Sequence, residues 1–300
     1  MKLWLLMTLL AVSTGTRALE TASQSAEIRY DSRNRPVIAT EVNGQGPYYM
    51  VVDTGAESSL MMPALAERLK LESFDSGLTI TGATGSIAAQ AYPVDAFKSK
   101  LFDISYVGLL AMPNTGSTEA AGIIGMDLFS NGALIFDLAA NKLKTAPSGE
   151  VAGHYITIPA IEDDSLLIHV NVKMNGVEIP ALIDTGAAAS IANLATIKAL
   201  GWQTTDAHLT DDGAILGATT DTNRIKKATV DTISLGGITM REVPIRFTID
   251  NDGQAPSLIL GVDVLNSLIG FAIDFPKQEL LIYLPQLTTQ AHLASIAPTV

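Results

Sequence analysis

Apolar residues occur along most of this chain in short runs separated by glycine, asparagine, proline and serine, a pattern typical of β-strands joined by turns. Two of these runs end in nearly the same way, as "MVVDTGAESS" at 50–59 and "ALIDTGAAAS" at 181–190. Upstream of each stands an Asn-Gly pair, Asn43-Gly44 and Asn175-Gly176, which is the strongest short signal for a hairpin turn. Each set therefore predicts a hairpin whose second strand runs into Asp-Thr-Gly-Ala.

The similarity continues along both sets in one order. A shift of 131 places Asp53 over Asp184, and a shift of 132 places Asn43 over Asn175, so the first copy has one extra residue, expected in the loop at Gln45-Gly46. Three further pairs of segments then follow: "SLMMPALAERLKL" and "SIANLATIKALGW", "TITGATGSIA" and "AILGATTDTN", and "GIIGMDLFSNGALIFD" and "LILGVDVLNSLIGFAID". The first pair predicts short helices, the second predicts turns between strands, and the third predicts further strands.

Recurrence of five features in the same order indicates an internal repeat. We therefore expect two all-β lobes with short helices, related by an approximate two-fold axis. The boundary is expected where proline, serine and glycine cluster, which gives an N-terminal lobe at 19–148 and a C-terminal lobe at 149–286. Residues 287–300 are mostly small and polar, and we expect a disordered tail.

The first 18 residues predict export. A basic start at Met1-Lys2, an apolar stretch from Leu3 to Val12 and small residues up to Ala18 are typical of a secretory signal peptide cleaved after Ala18. The apolar stretch is short for a membrane span, although an uncleaved anchor is the alternative. The chain has no cysteine, which excludes disulfides and thiolate metal sites and favours a bacterial periplasm. We expect a periplasmic or secreted protein with no stable membrane insertion after cleavage.

Charge and composition exclude several other classes of function. The net charge of -12 comes from dispersed acidic residues, so the surface should repel nucleic acid and anionic lipid. The four histidines are scattered without ligand spacing, and none stands in a repeated relation to the serines that follow the Asp-Thr-Gly motifs. We therefore expect no metal and no other cofactor, and a serine hydrolase is not favoured.

Duplication changes the meaning of the Asp-Thr-Gly motif. A single copy would be an ordinary turn, but symmetry can bring Asp53 and Asp184 together at an axis between two repeats. Two carboxylates in contact cannot both ionise easily, so the pair would share one proton and act as base and acid at the same pH. Gly55 and Gly186 lack a Cβ and would let the loops approach closely.

On these motifs the chain resembles the aspartic protease superfamily, and especially retropepsin-like bacterial members, as a single chain with two tandem lobes. The family mark is a strand ending in Asp-Thr/Ser-Gly followed later by two apolar residues and glycine, here Ile123-Ile124-Gly125 and Ile259-Leu260-Gly261. The resemblance implies two closed β lobes with a substrate cleft between them.

The same resemblance implies a role for each matching residue. Asp53 and Asp184 would be the catalytic pair, and the Thr54 and Thr185 hydroxyls would bond the opposite loop. The later glycines, Gly125 and Gly261, would lie in psi-shaped turns beside the aspartate loops. Flaps over the substrate would be formed by 81–86 and 216–221, with these candidate contact residues: Gly82, Ala83, Thr84, Gly217, Ala218 and Thr219.

We therefore expect an aspartic endopeptidase, a monomer that hydrolyses peptide bonds in peptides or proteins by direct attack of water. Two alternatives stay open, namely a noncatalytic peptide-binding module on the same fold and pairing of each lobe with a second chain. Asp127 and Asp263, which directly follow the later glycines as "GMD" and "GVD", are expected to cap turns.

Overall fold

The computed structural model describes residues 24–82, 85–112, 119–163, 165–216, 222–250 and 255–285. Within these ranges the chain is built of β-strands with short helices. The strands of the first half are β1 Ser25–Glu27, β2 Arg29–Tyr30, β3 Pro36–Val42, β4 Gln45–Val52, β5 Leu60–Met61, β6 Phe74–Gly82, β7 Gly85–Lys98, β8 Asp103–Ala111, β9 Gly122–Ile124, β10 Gly132–Asp137 and β11 Lys142–Pro147. Those of the second half are β12 Tyr155–Pro159, β13 His169–Met174, β14 Val177–Ile183, β15 Ile191–Ala192, β16 Thr210–Leu216, β17 Thr222–Leu235, β18 Ile238–Thr248, β19 Leu258–Leu260, β20 Phe271–Asp274 and β21 Glu279–Tyr283.

The helical segments are all short. They are α1 Pro63–Leu69, α2 Leu194–Ala199, α3 Val262–Leu265 and a 3-10 turn at Met126–Leu128. Pro63 begins α1, where its missing N–H costs nothing. Asn193 caps α2 by accepting a hydrogen bond from the Thr196 amide. Each of these two helices follows an Asp-Thr-Gly loop, as the sequence pattern predicts.

The two halves of the described chain form matching sheets. In the first, the strand order β2-β3-β4-β9-β5-β8-β7-β6 is joined by a further pairing of β3 with β7, which closes six strands into a ring. In the second, the order β13-β14-β19-β15-β18-β17-β16 is closed by pairing of β13 with β17. The predicted fold class, two all-β lobes with short helices in a retropepsin-like arrangement, is therefore confirmed.

The extra residue of the first copy lies inside a strand rather than in a loop. Thr40 pairs with Tyr48 and Val42 pairs with Gln45, so Gly46 and Pro47 together face the single residue Glu41. This is a β-bulge, which absorbs one residue without changing the alternation beyond it. The strand therefore still delivers Val51 and Val52 to buried positions ahead of Asp53.

A third sheet joins the two halves. Its order is β1-β11-β10-β20-β21-β12, so strands from both ends of the chain contribute. The junction is the antiparallel pairing of β10 with β20, where Phe136 lies opposite Phe271. Their buried rings stack with centroids 4.6 Å apart. Buried Asp274, at the end of β20, accepts hydrogen bonds from the Ser148 hydroxyl and the Gly149 amide, which fixes the segment after β11.

Replacing Phe136 with alanine should destabilise the whole protein, because it opens a cavity at the junction between lobes. The expected loss is about 3–5 kcal/mol in the free energy of unfolding, measured by urea denaturation. Tyr106→Ala is the matched control, since this side chain is 86% exposed, and its effect should stay within about 0.5 kcal/mol. Equal stability of the two variants would show that the sheet does not bind the lobes together.

Candidate active site

A strand pair of the same kind places each aspartate. β4 runs parallel to β9, and β14 runs parallel to β19. The Asp53 amide then donates to the Ile124 carbonyl at 3.0 Å, and the Asp184 amide donates to the Leu260 carbonyl at 3.1 Å. Both aspartates therefore leave the sheet at equivalent points of the two lobes, each beside one of the later glycine segments.

The structure brings Asp53 and Asp184 together, so that each carboxyl group affects the pKa of the other. Each glycine of the two motifs packs against the aspartate of the other lobe. A Cβ on Gly55 would lie 2.5 Å from Cγ of Asp184, and a Cβ on Gly186 would overlap the Asp53 carboxyl group. Only glycine permits this approach, because any side chain would occupy the space of the opposite carboxyl group.

The two threonines hold the loops together by crossed hydrogen bonds. The Thr54 hydroxyl donates to the Ile183 carbonyl at 2.6 Å, and the Thr185 hydroxyl donates to the Val52 carbonyl at 2.6 Å. Each hydroxyl also accepts the amide N–H of the other threonine, at 3.0 and 3.1 Å. Both threonines are buried, so these bonds are shielded from competing water.

Backbone amides hold the carboxyl groups in position, and they do so unequally. The Gly55 amide donates to Oδ1 of Asp53 at 2.9 Å. Oδ1 of Asp184 accepts two bonds, from the Gly186 amide at 2.8 Å and from the Ala187 amide at 2.9 Å. Both aspartates keep part of their surface exposed, so a substrate can reach them.

The two carboxyl groups differ in how readily they ionise. Burial raises the pKa of Asp184, and the negative charge of Asp53 together with the bond between the carboxyl groups raises this pKa well above its ordinary value. Burial also raises the pKa of Asp53, but the bond from Asp184, the Gly55 amide and the positive charge of Arg35 pull that pKa back down. Because both pKa values are raised and the groups lie together, the pair keeps one proton to a higher pH than an isolated aspartate would.

The later glycines lie directly behind the aspartate loops. The Gly125 amide donates to the Ser59 hydroxyl and the Gly261 amide donates to the Ser190 hydroxyl, both at 3.0 Å. A Cβ on Gly125 would come within 2.6 Å of the Ser58 carbonyl oxygen, and one on Gly261 within 2.7 Å of the Ala187 carbonyl oxygen. Both glycines are therefore required by close packing against backbone.

Asp127 and Asp263 support this arrangement from a distance. Asp127 accepts the Ser59 hydroxyl at 2.9 Å, and Asp263 accepts the Ser190 hydroxyl at 2.7 Å. Each carboxylate thus ties its turn to the strand that follows the Asp-Thr-Gly loop. Burial raises the pKa of Asp127, against the lowering effect of its bonds to Ser59.

Sequence reasoning missed one charged pair near the dyad. The Arg35 guanidinium binds Asp31 at 2.6 Å, with both side chains buried, and its Nη1 lies 3.4 Å from the Gly186 carbonyl oxygen in the other lobe. The comparison of repeats could not find Arg35, because the second copy has no arginine in its counterpart segment. The available signal was a basic residue directly before an apolar strand, at Arg35-Pro36.

The predicted flaps fall at the tips of two hairpins. Gly82 ends β6 and pairs with Gly85 on β7, while Leu216 ends β16 and pairs with Thr222 on β17. The other flap candidates lie outside the described residues: Ala83, Thr84, Gly217, Ala218 and Thr219. Their contact with substrate stays a prediction.

The described residues contain neither a metal-binding cluster nor a membrane-spanning helix. No three histidine, aspartate or glutamate side chains there come together in a way that could hold a metal ion. No helix in that part of the chain is long and apolar enough to cross a bilayer.

The sequence profile of the Aspartyl protease family matches this chain twice, at residues 38–128 and 170–264. The chain belongs to the aspartyl protease family. Each match contains one Asp-Thr-Gly loop and one later glycine segment, so this aspartyl protease family member has two retropepsin-like lobes in one chain.

A retropepsin-like aspartic protease from Rickettsia conorii matches at 25% identity with a TM-score of 0.35, over 44% of this chain and 100% of the Rickettsia chain. No curated protein matches significantly.

Substituting Thr185 with valine should destabilise the protein while nearly conserving its shape. The Val52 carbonyl would lose its donor and the Thr54 amide its acceptor, at about 1–3 kcal/mol for each buried group left unpaired. Thr185→Ser is the matched control, because it keeps the hydroxyl. If urea denaturation found the valine variant as stable as the serine variant, the crossed bonds would not be what holds the loops.

The Asp184→Asn variant should change how stability depends on pH. A carboxyl group with a raised folded pKa favours the folded state at low pH, and that contribution is lost as pH rises from the unfolded value of about 3.9 through the folded pKa. The amide that replaces the carboxyl group cannot ionise, so the variant should gain stability relative to the unmodified protein as pH rises through this window.

Urea denaturation at several pH values between about 4 and 8 measures this difference, since that range spans the loss of the contribution. Asp231→Asn, at an exposed position on β17, is the control whose difference from the unmodified protein should stay constant. If the difference in free energy of unfolding for Asp184→Asn were also constant across pH, ionisation of Asp184 would not destabilise the folded state.

Proposed function

We propose that this protein is an aspartic endopeptidase in which Asp53 and Asp184 activate one water molecule to hydrolyse a peptide bond. The observation that supports this proposal is the contact between two carboxyl groups from different lobes. Crossed threonine bonds hold that contact, and two glycines, each packed on the opposite carboxyl group, make room for it. Membership of the aspartyl protease family supports the same reaction.

The first step assigns one role to each carboxyl group. Asp53, whose pKa the positive charge of Arg35 lowers, takes a proton from water bound between the two groups. The resulting hydroxide attacks the carbonyl carbon of the substrate, while Asp184 gives its proton to the carbonyl oxygen. The product is a neutral tetrahedral diol, so no covalent bond to the enzyme forms.

The second step returns the protons. Asp53, now protonated, donates to the nitrogen of the leaving amine as the carbon–nitrogen bond breaks. Asp184 takes back a proton from a hydroxyl of the diol, which becomes the new carboxyl group. The pair ends with one shared proton, as it began, and a second water can enter.

Apolar surface beside the dyad supports a preference for apolar side chains in the substrate. Leu182 lies two residues before Asp184 and pairs with Ile259 on β19, and both stay partly exposed. The hairpin of β6 and β7 carries the exposed apolar residues Phe74, Leu78 and Ile87. Peptides with apolar residues around the cleaved bond would bury this surface, which is favourable at about 25 cal/mol per Å².

One chain supplies both aspartates, which supports action as a monomer. Export, with cleavage after Ala18, stays a prediction from the first 18 residues, which lie outside the described ranges. An exported protease of this kind would act on peptides or proteins outside the cytoplasm.

Either single substitution of the dyad, Asp53→Asn or Asp184→Asn, should lower peptide cleavage at least about a hundred-fold, because each removes a proton-transfer group. The measurement is incubation of the purified protein with a mixed peptide library across a range of pH, with cut sites read by mass spectrometry. The exposed Asp231→Asn variant should cleave at the unmodified rate.

Two other outcomes would change the proposal. If a dyad variant kept full activity, the shared-proton mechanism would be wrong. If no form of the protein cut the library but peptides bound with measurable affinity, the noncatalytic binding module would replace the peptidase.

A further inference from the structure

The lobes present matching scaffolds to the dyad but different charges. Val37 pairs with Val51 and His169 pairs with Leu182, and both partners stand two residues before an aspartate. Val37 and His169 are therefore equivalent, and so are the positions two residues before each of them. They hold Arg35 in the first lobe and Leu167 in the second.

The acidic partner, in contrast, is present in both lobes. Asp31 corresponds to Asp163 at the same spacing. Asp31 binds Arg35, whereas Asp163 lies 3.1 Å from Nδ1 of His169. The guanidinium is thus present at this position in one lobe only.

Arg35 is held rigidly at its main chain and its side chain. Oδ1 of Asp31 accepts the amides of Arg33 and Arg35 at 2.9 Å, and Oδ2 binds the Nε and Nη2 side of the guanidinium. Arg35 is 8% exposed. Asp31 therefore holds the guanidinium in one orientation.

The remaining edge points across the lobe interface. Nη1 lies 3.4 Å from the carbonyl oxygen of Gly186, the residue whose Cα packs on the Asp53 carboxyl group. The positive charge therefore acts on Asp53, where it lowers the pKa, and it is not a major influence on the pKa of Asp184.

We propose that Arg35 is a positioning residue that makes the two aspartates unequal, by holding a positive charge on the Gly186 side of the dyad so that Asp53 serves as the base and Asp184 as the proton donor. This inference rests on the proposed function for its consequence in catalysis. Its electrostatic content concerns the carboxyl groups alone and can be tested without a substrate.

The charges that surround Asp53 are few in the described structure. Asp184 faces it from the end of β14, and Arg35 faces it from the segment before β3, with Asp31 on the far edge of the guanidinium. Asp127 and Asp263 are engaged by Ser59 and Ser190 behind the loops, and Asp163 pairs with His169. Removal of one member of the Arg35–Asp31 pair should therefore change the field at Asp53 in a known direction.

The test uses two variants with opposite expected effects. Asp31→Asn removes the counter-ion while its amide oxygen can still accept the two backbone N–H bonds, so the Asp53 pKa should fall. The double variant Asp31→Asn/Arg35→Leu removes both charges without leaving a buried unpaired carboxylate, so the Asp53 pKa should rise by about one unit. If Arg35 had only a structural role, both variants would shift the Asp53 pKa in the same direction.

The primary measurement is a carbon-13 NMR titration of aspartate carboxyl groups in the full protein, with the two signals assigned from Asp53→Asn and Asp184→Asn. The control is Asp103→Asn/Lys98→Leu, which removes an exposed ion pair at the end of β7 opposite to the predicted flap and should leave both titrations unchanged. If the double variant failed to fold, Asp31→Asn alone would decide by the direction of its shift.

Shifts of opposite sign would support the proposal, and shifts of one sign or none would overturn it. The acidic limb of the pH profile of kcat/KM should follow the Asp53 titration in each variant. If the protein cleaves peptides but neither variant shifts the acidic limb of its kcat/KM profile, the role of Arg35 is overturned. The proposed function would then still stand. A protein that cleaves nothing but shows the opposed shifts would overturn only the proposed function.

Discussion

The crossed hydrogen bonds between Thr54 and Thr185 are the interaction on which the site depends. Two carboxyl groups in contact repel each other as soon as both ionise, so the loops that carry them must be held together by something else. Each hydroxyl donates to a carbonyl of the opposite lobe and accepts the amide of the opposite threonine. Because these groups are buried and fully paired, separation of the loops would leave the carbonyls and amides of both lobes unsatisfied.

Further contacts connect the two aspartate loops to the sheets behind them. Gly125 and Gly261 let the later turns pack against the backbone of the aspartate loops, and Ser59 and Ser190 bond those turns to Asp127 and Asp263. The third sheet then joins the lobes a second time, through β10 and β20. The dyad is thus fixed both by direct contact of the loops and by a continuous sheet that links the lobes.

The two lobes have matching backbones, but the polar groups around their two aspartates differ. The backbone around Asp53 and Asp184 is nearly interchangeable, yet the number of amides on each carboxyl group differs, and a buried arginine stands on one side only. Repulsion alone makes two carboxyl groups in contact share one proton, and such a difference decides which of them acts as the base. The lobe interface therefore supplies the unequal electrostatic environment that the repeat alone does not contain.

Repetition and spacing in the sequence were enough to predict two β lobes, the hairpins before each aspartate and the short helices after them. They also singled out Asp53 and Asp184, because an ordinary turn motif becomes informative when it occurs twice at matching places. The short spacings involved are local, and strand alternation and turn residues determine local structure. The flaps and the leader stay predictions from the same kind of pattern.

Only the tertiary structure decided how distant segments meet. The pairing of β10 with β20 joins segments from opposite halves of the chain, and their apolar runs would suit other partners equally well. The bulge at Gly46 and Pro47, and the approach of Arg35 to Gly186, likewise became visible only in the folded chain. A sequence states which residues are apolar or charged, but the field at a carboxyl group depends on distances that exist only after the lobes have closed.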